Sequence, residues 1–327
     1  LKIVDWIWDN IKELEFDSAL EPFGGTGCVS HYLKRQGKVV FYNDILKFNY
    51  YIGLALIEND DVRLLPSDID LLIQKHPGTE YPTFIQDTFD DIYFTDEENQ
   101  WLDAVVTNIE HLDNLYKKAL AYFALFQAAI AKRPFNLFHR KNLYLRTSDV
   151  DRSFGNKATW DTPFPIHFTR YASEANAAVF SNGCENKALN HDAFEIEGDF
   201  DLIYIDTPYM SRKGVGVDYM EFYHFLEGLV TYDAWASRID YRSKHRKFKH
   251  PKSPWCDRKR IHDAFDRLFR KFQDSILVVS YRDDGIPSLE ELMTMLKRYK
   301  NTVKLATTEY KYVLSNSNSH EILLIAV

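Results

Sequence analysis

The segment Ser18-Ala19-Leu20-Glu21-Pro22-Phe23-Gly24-Gly25-Thr26-Gly27 runs from a short apolar stretch into a turn dense in glycine. Ser18-Ala19-Leu20 reads as a strand that ends at Glu21-Pro22. The glycines carry no Cβ, so the backbone beyond Phe23 can approach a ligand closely. Cys28 to Gln36 then has the pattern of a helix closed by Gly37. Lys38-Val39-Val40-Phe41-Tyr42 reads as a second strand and Leu46 to Glu58 as a second helix. Upstream, Ile3, Ile7, Trp8, Ile11 and Leu14 fall near helical spacing. Strand, loop, helix, strand, helix is how a doubly wound, mostly parallel α/β sheet opens.

Asp44 lies just past the second strand, 19 residues after Gly25. An acidic side chain there accepts both ribose hydroxyls of a nucleoside cofactor. The competing reading is a tight turn with an Asp that caps the next helix. The loop lacks the Gly-Lys-Ser/Thr ending of a phosphate-binding P-loop, which disfavours an ATPase and suits a cofactor without phosphates.

A second junction follows Phe200 to Ile205, where an apolar strand ends in Asp206-Thr207-Pro208-Tyr209. The carboxyl ends of parallel strands are where open α/β folds bind ligands. Asp206 can accept one hydrogen of an exocyclic amine and the Thr207 carbonyl the other. Pro208 fixes the turn, and the Tyr209 ring can stack on a flipped base. The plain alternative is a strand-ending Asp in a turn, with a core Tyr.

Between the junctions, residues 60–95 look irregular because Pro66, Pro77 and Pro82 interrupt them. Glu97 to Ala131 reads as two long helices joined near Leu112, and 132–170 as a weakly regular insert with Pro134, Pro163 and Pro165. Beyond Tyr209, helical periodicity returns at Tyr219–Val230, Lys259–Phe272 and Leu289–Arg298, and Ser275 to Ser280 is a buried strand. Thr302–Thr308 and Glu321–Ala326 pair as a terminal antiparallel hairpin around Asn316-Ser317-Asn318. The expected division is 1–60 with 186–327 as one domain, and 61–185 as a helical and irregular insert.

Three widely spaced cysteines, Cys28, Cys184 and Cys256, suggest neither a disulfide framework nor a zinc site, and they fit a reducing cytoplasm. Apolar runs are too short for a membrane span. Net charge is −8, but Arg238 to Lys271 holds thirteen Lys/Arg against four Asp. A basic strip on an acidic body can hold a polyanion; the bland reading is a solvated helical face.

These motifs resemble the Dam-like (D12 class, alpha group) adenine-N6 DNA methyltransferases. Glu21-Pro22-Phe23-Gly24-Gly25-Thr26-Gly27 resembles that family's cofactor motif, Asn43-Asp44-Ile45 its ribose segment, and Asp206-Thr207-Pro208-Tyr209 its catalytic motif. His191-Asp192-Ala193-Phe194 resembles its contact to the cofactor adenine. Phe154-Gly155-Asn156-Lys157-Ala158-Thr159-Trp160 and Phe222-Tyr223-His224-Phe225-Leu226-Glu227-Gly228-Leu229 are similar to methylases that partner the FokI endonuclease. The resemblance covers essentially the whole chain.

It implies a Rossmann-like methyltransferase fold with an inserted target-recognition region. It also implies S-adenosylmethionine as cofactor, duplex DNA as substrate, a cognate restriction endonuclease as possible partner, a prokaryotic cytoplasm or nucleoid, and no metal. Two departures stand out. Thr207 replaces the family's usual Pro. Of the family's lysine-bearing segment before the first helix only Lys2 is found here, and the rest of that wall is expected outside this chain or disordered.

Candidate DNA contacts are Arg133, His139, Arg140, Lys141 and Arg146 in the insert, Arg212 and Lys213 in a loop with Gly214 and Gly216, and Lys244, Arg246, Lys247, Lys249, Lys252 and Arg258 in the basic strip. The rival readings are an RNA base methyltransferase and a catalytically silent DNA-binding homologue.

Overall fold

A computed structural model of the chain describes residues 2–150, 156–212, 214, 216–310 and 319–327. It divides into two compact units. One comprises Leu1–Gly53, Asn182–Asp218 and Pro251–Val327, the other Leu54–Ser181 and Tyr219–His250.

The first unit carries β1 (Ser18–Glu21), β2 (Val39–Asn43), β3 (Lys187–Leu189), β4 (Leu202–Ile205), β5 (Ile276–Arg282), β6 (Val303–Tyr310) and β7 (Ser319–Ala326). Their order in the sheet is β3-β2-β1-β4-β5-β7-β6. The first five positions are parallel, and β7 is antiparallel to both β5 and β6. From β1 the chain builds outward in one direction through β2 and β3 and in the other through β4 and β5. The order therefore reverses between β1 and β4, which is where doubly wound sheets open a crevice beyond their carboxyl ends. The glycine loop and Asp206 both lie at that point. The Asn316-Ser317-Asn318 turn lies outside the described residues.

Side chains alternate across a strand. Leu20, Ile203, Ile205, Leu277, Val279, Tyr281, Ile322 and Leu324 share one core with the helices Ile261–Lys271 and Leu289–Leu296. The first of these helices buries Ile261, Ala264, Phe265, Leu268 and Phe269, an apolar stripe at helical spacing. The second opens on a reciprocal cap between Ser288 and Glu291. Alternation leaves Glu21, Tyr204, Ser280 and Glu321 on the opposite face.

The second unit is mainly helical. Asp96–Glu110 and Leu115–Ala131 are the two long helices, separated where Asn114 accepts from the amides of Tyr116 and Lys117. The regions expected to be irregular contain helices Pro66–Ile73 and Phe164–Ala178. Pro66 and Pro165 occupy first turns, where an amide has no helical partner to lose, so they start helices rather than break them. Residues 219–250 also belong to this unit. Within them Trp235 is fully buried against Phe89 and Phe225. No helix among the described residues is long and apolar enough to cross a membrane.

Candidate active site

The glycine loop is held from below by β2. The Gly24 amide donates to the Asn43 carbonyl at 2.8 Å. A Cβ on Gly24 would lie 2.1 Å from the Tyr42 ring, so only glycine fits there. The Tyr42 hydroxyl donates to the carbonyls of Gly25 (2.7 Å) and Asn49 (3.0 Å). Gly25 has φ +49° and open space where a side chain would begin. Gly27 starts the helix Cys28–Arg35, and Thr26 is exposed beside it.

Asn43 joins three segments that are far apart in sequence. Its amide donates to the carbonyls of Pro22 (2.9 Å) and His191 (3.1 Å), and its oxygen accepts from the His191 amide (2.9 Å). Glycine loop, ribose segment and 191–194 segment are thereby brought to one place. Asp44 accepts from the amides of Gly25 (2.9 Å) and Leu46 (2.8 Å) and from Asn49 Nδ2 (3.0 Å). Through the Leu46 amide it closes a turn just ahead of the helix Lys47–Gly53, and three of a carboxylate's roughly four acceptor positions are taken. Ile45 beside it is 62% exposed, an apolar wall left open.

Asp192 accepts from the Phe194 amide at 3.0 Å, and Ala193 is buried. Phe194 stacks on Trp255 at 5.7 Å, while Phe23 meets the same Trp255 edge-on at 4.9 Å. Trp255, hidden in the basic strip, was not foreseen as part of this cluster. Lys2 opens the helix Lys2–Ile11, and its side chain lies outside the described set.

At the end of β4, Asp206 is half-buried and accepts from the Tyr209 hydroxyl at 2.8 Å. Tyr209 in turn packs edge-on against Tyr281 at 5.6 Å. Pro208 is half-buried. Thr207 is buried, and its hydroxyl has no hydrogen-bond partner.

Four carboxyl groups gather here with values above the ordinary carboxylate range. Burial pushes Glu21 up to about 8; hydrogen bonds from the Ser30 hydroxyl and amide oppose this, and the charges of Asp206 and Asp44 reinforce it. Burial raises Asp206 to about 6, against the Tyr209 hydrogen bond. Burial raises Asp44 to about 6, against its three donors. Glu321 on β7, 1% exposed, is raised to about 7 by burial and then by the charge of Asp206. It was missed in the sequence, although it is the lone charge leading the apolar run Ile322–Ala326. An apolar pocket wall, an open glycine backbone and surplus acid suit a cationic, phosphate-free nucleoside cofactor such as S-adenosylmethionine.

The candidate DNA contacts separate into two groups. Arg133 and Arg146 are buried and do not offer their guanidinium groups to a phosphate in this structure. Arg133 donates to the carbonyls of Tyr93, Leu137 and Arg140 and to Asn142. Arg146 chelates Glu98 at 2.7 and 2.9 Å. Arg246 turns inward to the carbonyls of Tyr241, Ser243 and Thr88, and Lys247 pairs with Glu221. His139 is half-buried against Phe222. Arg140, Lys141, Arg212, Lys244, Lys249, Lys252 and Arg258 are exposed. Of these, Lys141 pairs with Asp91 at 2.8 Å and Arg212 donates to the Asp283 carbonyl at 3.1 Å. Lys213 lies outside the described residues.

The chain is similar to the type II methyltransferase M2.HphI of Haemophilus parahaemolyticus, at 29% identity over all of this chain and 94% of that protein. It is similar to the modification methylase StsI of Streptococcus sanguinis at 27% identity and to the type II methyltransferase M.FokI of Planomicrobium okeanokoites at 26%. It spans 49% and 46% of the length of those two proteins. Residues 1–295 match the family described as D12 class N6 adenine-specific DNA methyltransferase. With the glycine loop and Asp206-Thr207-Pro208-Tyr209 set at one switch point of a doubly wound sheet, the chain belongs to the D12 class of N6 adenine-specific DNA methyltransferases.

Proposed function

We propose that this chain methylates N6 of an adenine turned out of duplex DNA at a particular sequence, as the modification arm of a restriction–modification pair. The observation that carries the reading is the Asp206–Tyr209 hydrogen bond at the sheet's switch point, one strand away from the glycine loop. Asp206 accepts one hydrogen of the adenine amine and the Thr207 carbonyl takes the other. Two acceptors on one amine draw its lone pair out of the ring's π system and aim it. The Tyr209 ring stacks on the base while its hydroxyl fixes the carboxylate.

When bound, S-adenosylmethionine supplies a methyl group on a positively charged sulfur, an electrophile that needs no metal activation. The glycine loop, Asp44, Ile45 and Asp192–Phe194 would hold it, with Phe23 near its methionine end. As nitrogen gains the methyl group it must lose a proton, and Asp206 is placed to receive it. The chain's own contribution is therefore to position the amine and accept its proton.

The test is transfer of labelled methyl groups to unmethylated plasmid DNA and, separately, to total RNA, followed by nucleoside analysis. The reading expects N6-methyladenine in the DNA within a recurring sequence. Label confined to RNA, or to cytosine, would overturn it.

A further inference from the structure

In the second unit the most basic part of the strip, residues 238–250, forms a pinned hairpin. Ile239 and Phe248 bridge its base, the Lys249 amide donates to the Arg238 carbonyl and the Asp240 amide to the Lys247 carbonyl, each at 2.8 Å. Both bridging residues are buried, and the Arg238 guanidinium lies 4.2 Å over the Phe248 ring. The turn is held from within. Arg246 adopts φ +58° and donates to the carbonyls of Tyr241 and Ser243 inside the turn and of Thr88 below it. The buried Tyr93 hydroxyl donates to the His245 carbonyl at 2.8 Å and also contacts the Phe138 carbonyl. Phe138 leads directly into Arg140, whose carbonyl is held by Arg133.

The same interactions that bury the hairpin's base display its tip. Tyr241 is 53% exposed and the Arg242 side chain 92% exposed. Lys244 and Lys249 are exposed and make no side-chain hydrogen bond or ion pair among the described residues. Arg242 is held only by a 3.2 Å contact to Asp240, an exposed pair of small worth that a phosphate can replace. An exposed aromatic ring, with the Arg246 guanidinium 5.7 Å from its centroid, among exposed cations is the chemistry that holds nucleic acid: phosphates to the cations, a base to the ring. Because the loop is already ordered, little conformational freedom is lost on binding.

We propose that the 239–248 hairpin is a DNA-holding element of this enzyme, with Arg242, Lys244 and Lys249 on phosphates and Tyr241 against a base of the duplex. The proposal rests on the function given above and adds the element and residues that grip the substrate. Residues 239–248 follow the catalytic tetrapeptide in sequence, outside the 61–185 insert expected to read the target.

The experiment is binding of the full chain to a fluorescein-labelled duplex, by anisotropy, across a salt series. Arg242→Ala and Lys244→Ala should each weaken binding and lower the slope of log affinity against log salt by about one. Tyr241→Ala should weaken binding about tenfold with an unchanged slope, and Tyr241→Phe should restore it. All four variants should bind S-adenosylmethionine like the wild type, which shows that they fold. Wild-type affinity and slope in the charge variants would overturn the hairpin's role, while methylation by the unmodified chain would leave the function standing. Preference of the hairpin for single-stranded RNA over the duplex would overturn the assignment to DNA, and a wild type that neither binds nor methylates DNA would overturn both.

Discussion

The Tyr209 hydroxyl donates to Oδ1 of Asp206 at 2.8 Å, so the ring that we propose stacks on a base also fixes the carboxylate that we propose accepts from that base's amine. The two functions can be separated by substitution. Tyr209→Phe keeps the ring and removes a hydrogen bond that holds Asp206 down, so Asp206 should rise above about 6. The acidic limb of the kcat profile should then move to higher pH, with kcat near neutrality falling about tenfold. Tyr209→Ala should lose the stacking as well. An unchanged acidic limb in Tyr209→Phe would show that Asp206 does not act as an ionised acceptor.

Gly24→Ala should damage both fold and cofactor site. The new Cβ would fall 2.1 Å from the Tyr42 ring, and Tyr42 is the residue whose hydroxyl holds the Gly25 carbonyl. Overpacking of this kind costs about 1–3 kcal/mol. Denaturant unfolding should register that loss, and calorimetry should show weakened binding of S-adenosylmethionine.

The gathered carboxyl groups set a direction for pH dependence. Glu21, Glu321, Asp206 and Asp44 all have folded values above their ordinary range, at about 8, 7, 6 and 6. A raised carboxyl favours the folded state at low pH, and that contribution is lost as pH climbs through the folded value. Without cofactor, stability should therefore decline from about pH 5 to pH 8, at up to about 1.4 kcal/mol per pH unit for each group still titrating. Glu21→Gln, which is neutral throughout, should flatten the decline above about pH 7, where Glu21 alone of the four is still titrating. Stability that rises across this window would refute the assignment.

Arg133→Ala should behave as a core mutant. It would leave the carbonyls of Leu137 and Arg140 and the Asn142 side-chain oxygen without their buried donor, at a cost of about 3 kcal/mol. Its salt dependence of DNA binding, measured below the unfolding transition, should match that of the wild type.

Arg133 also shows where the sequence stops being informative. The doubly wound sheet was legible because glycine loop, Asp44 and the apolar strands recur at separations that local geometry enforces. The strand-ending turn Asp206-Thr207-Pro208-Tyr209 was legible because an apolar run leads straight into it. A cation is different: Arg133 and Arg140 sit in one basic, aromatic run, and only tertiary packing sends the first inward and the second out. Glu321 was hidden for a related reason. Its neighbour across the sheet, Asp206, is 115 residues away in sequence and two strands away in space, on the far side of β5. The helix Phe164–Ala178 was obscured by Pro165, which serves its first turn. β3 spans only three residues, too few to carry an alternation pattern.

The most direct measurement is the comparison of Asp206→Ala with the unmodified chain in two assays on the same preparation: calorimetric binding of S-adenosylmethionine, and labelled methyl transfer to unmethylated DNA. The account predicts cofactor affinity within about threefold of the unmodified chain and methyl transfer reduced by about a thousandfold or more, the loss expected when a group that orients and stabilises the reacting atoms is removed. Methyl transfer persisting near the unmodified rate in Asp206→Ala would contradict it.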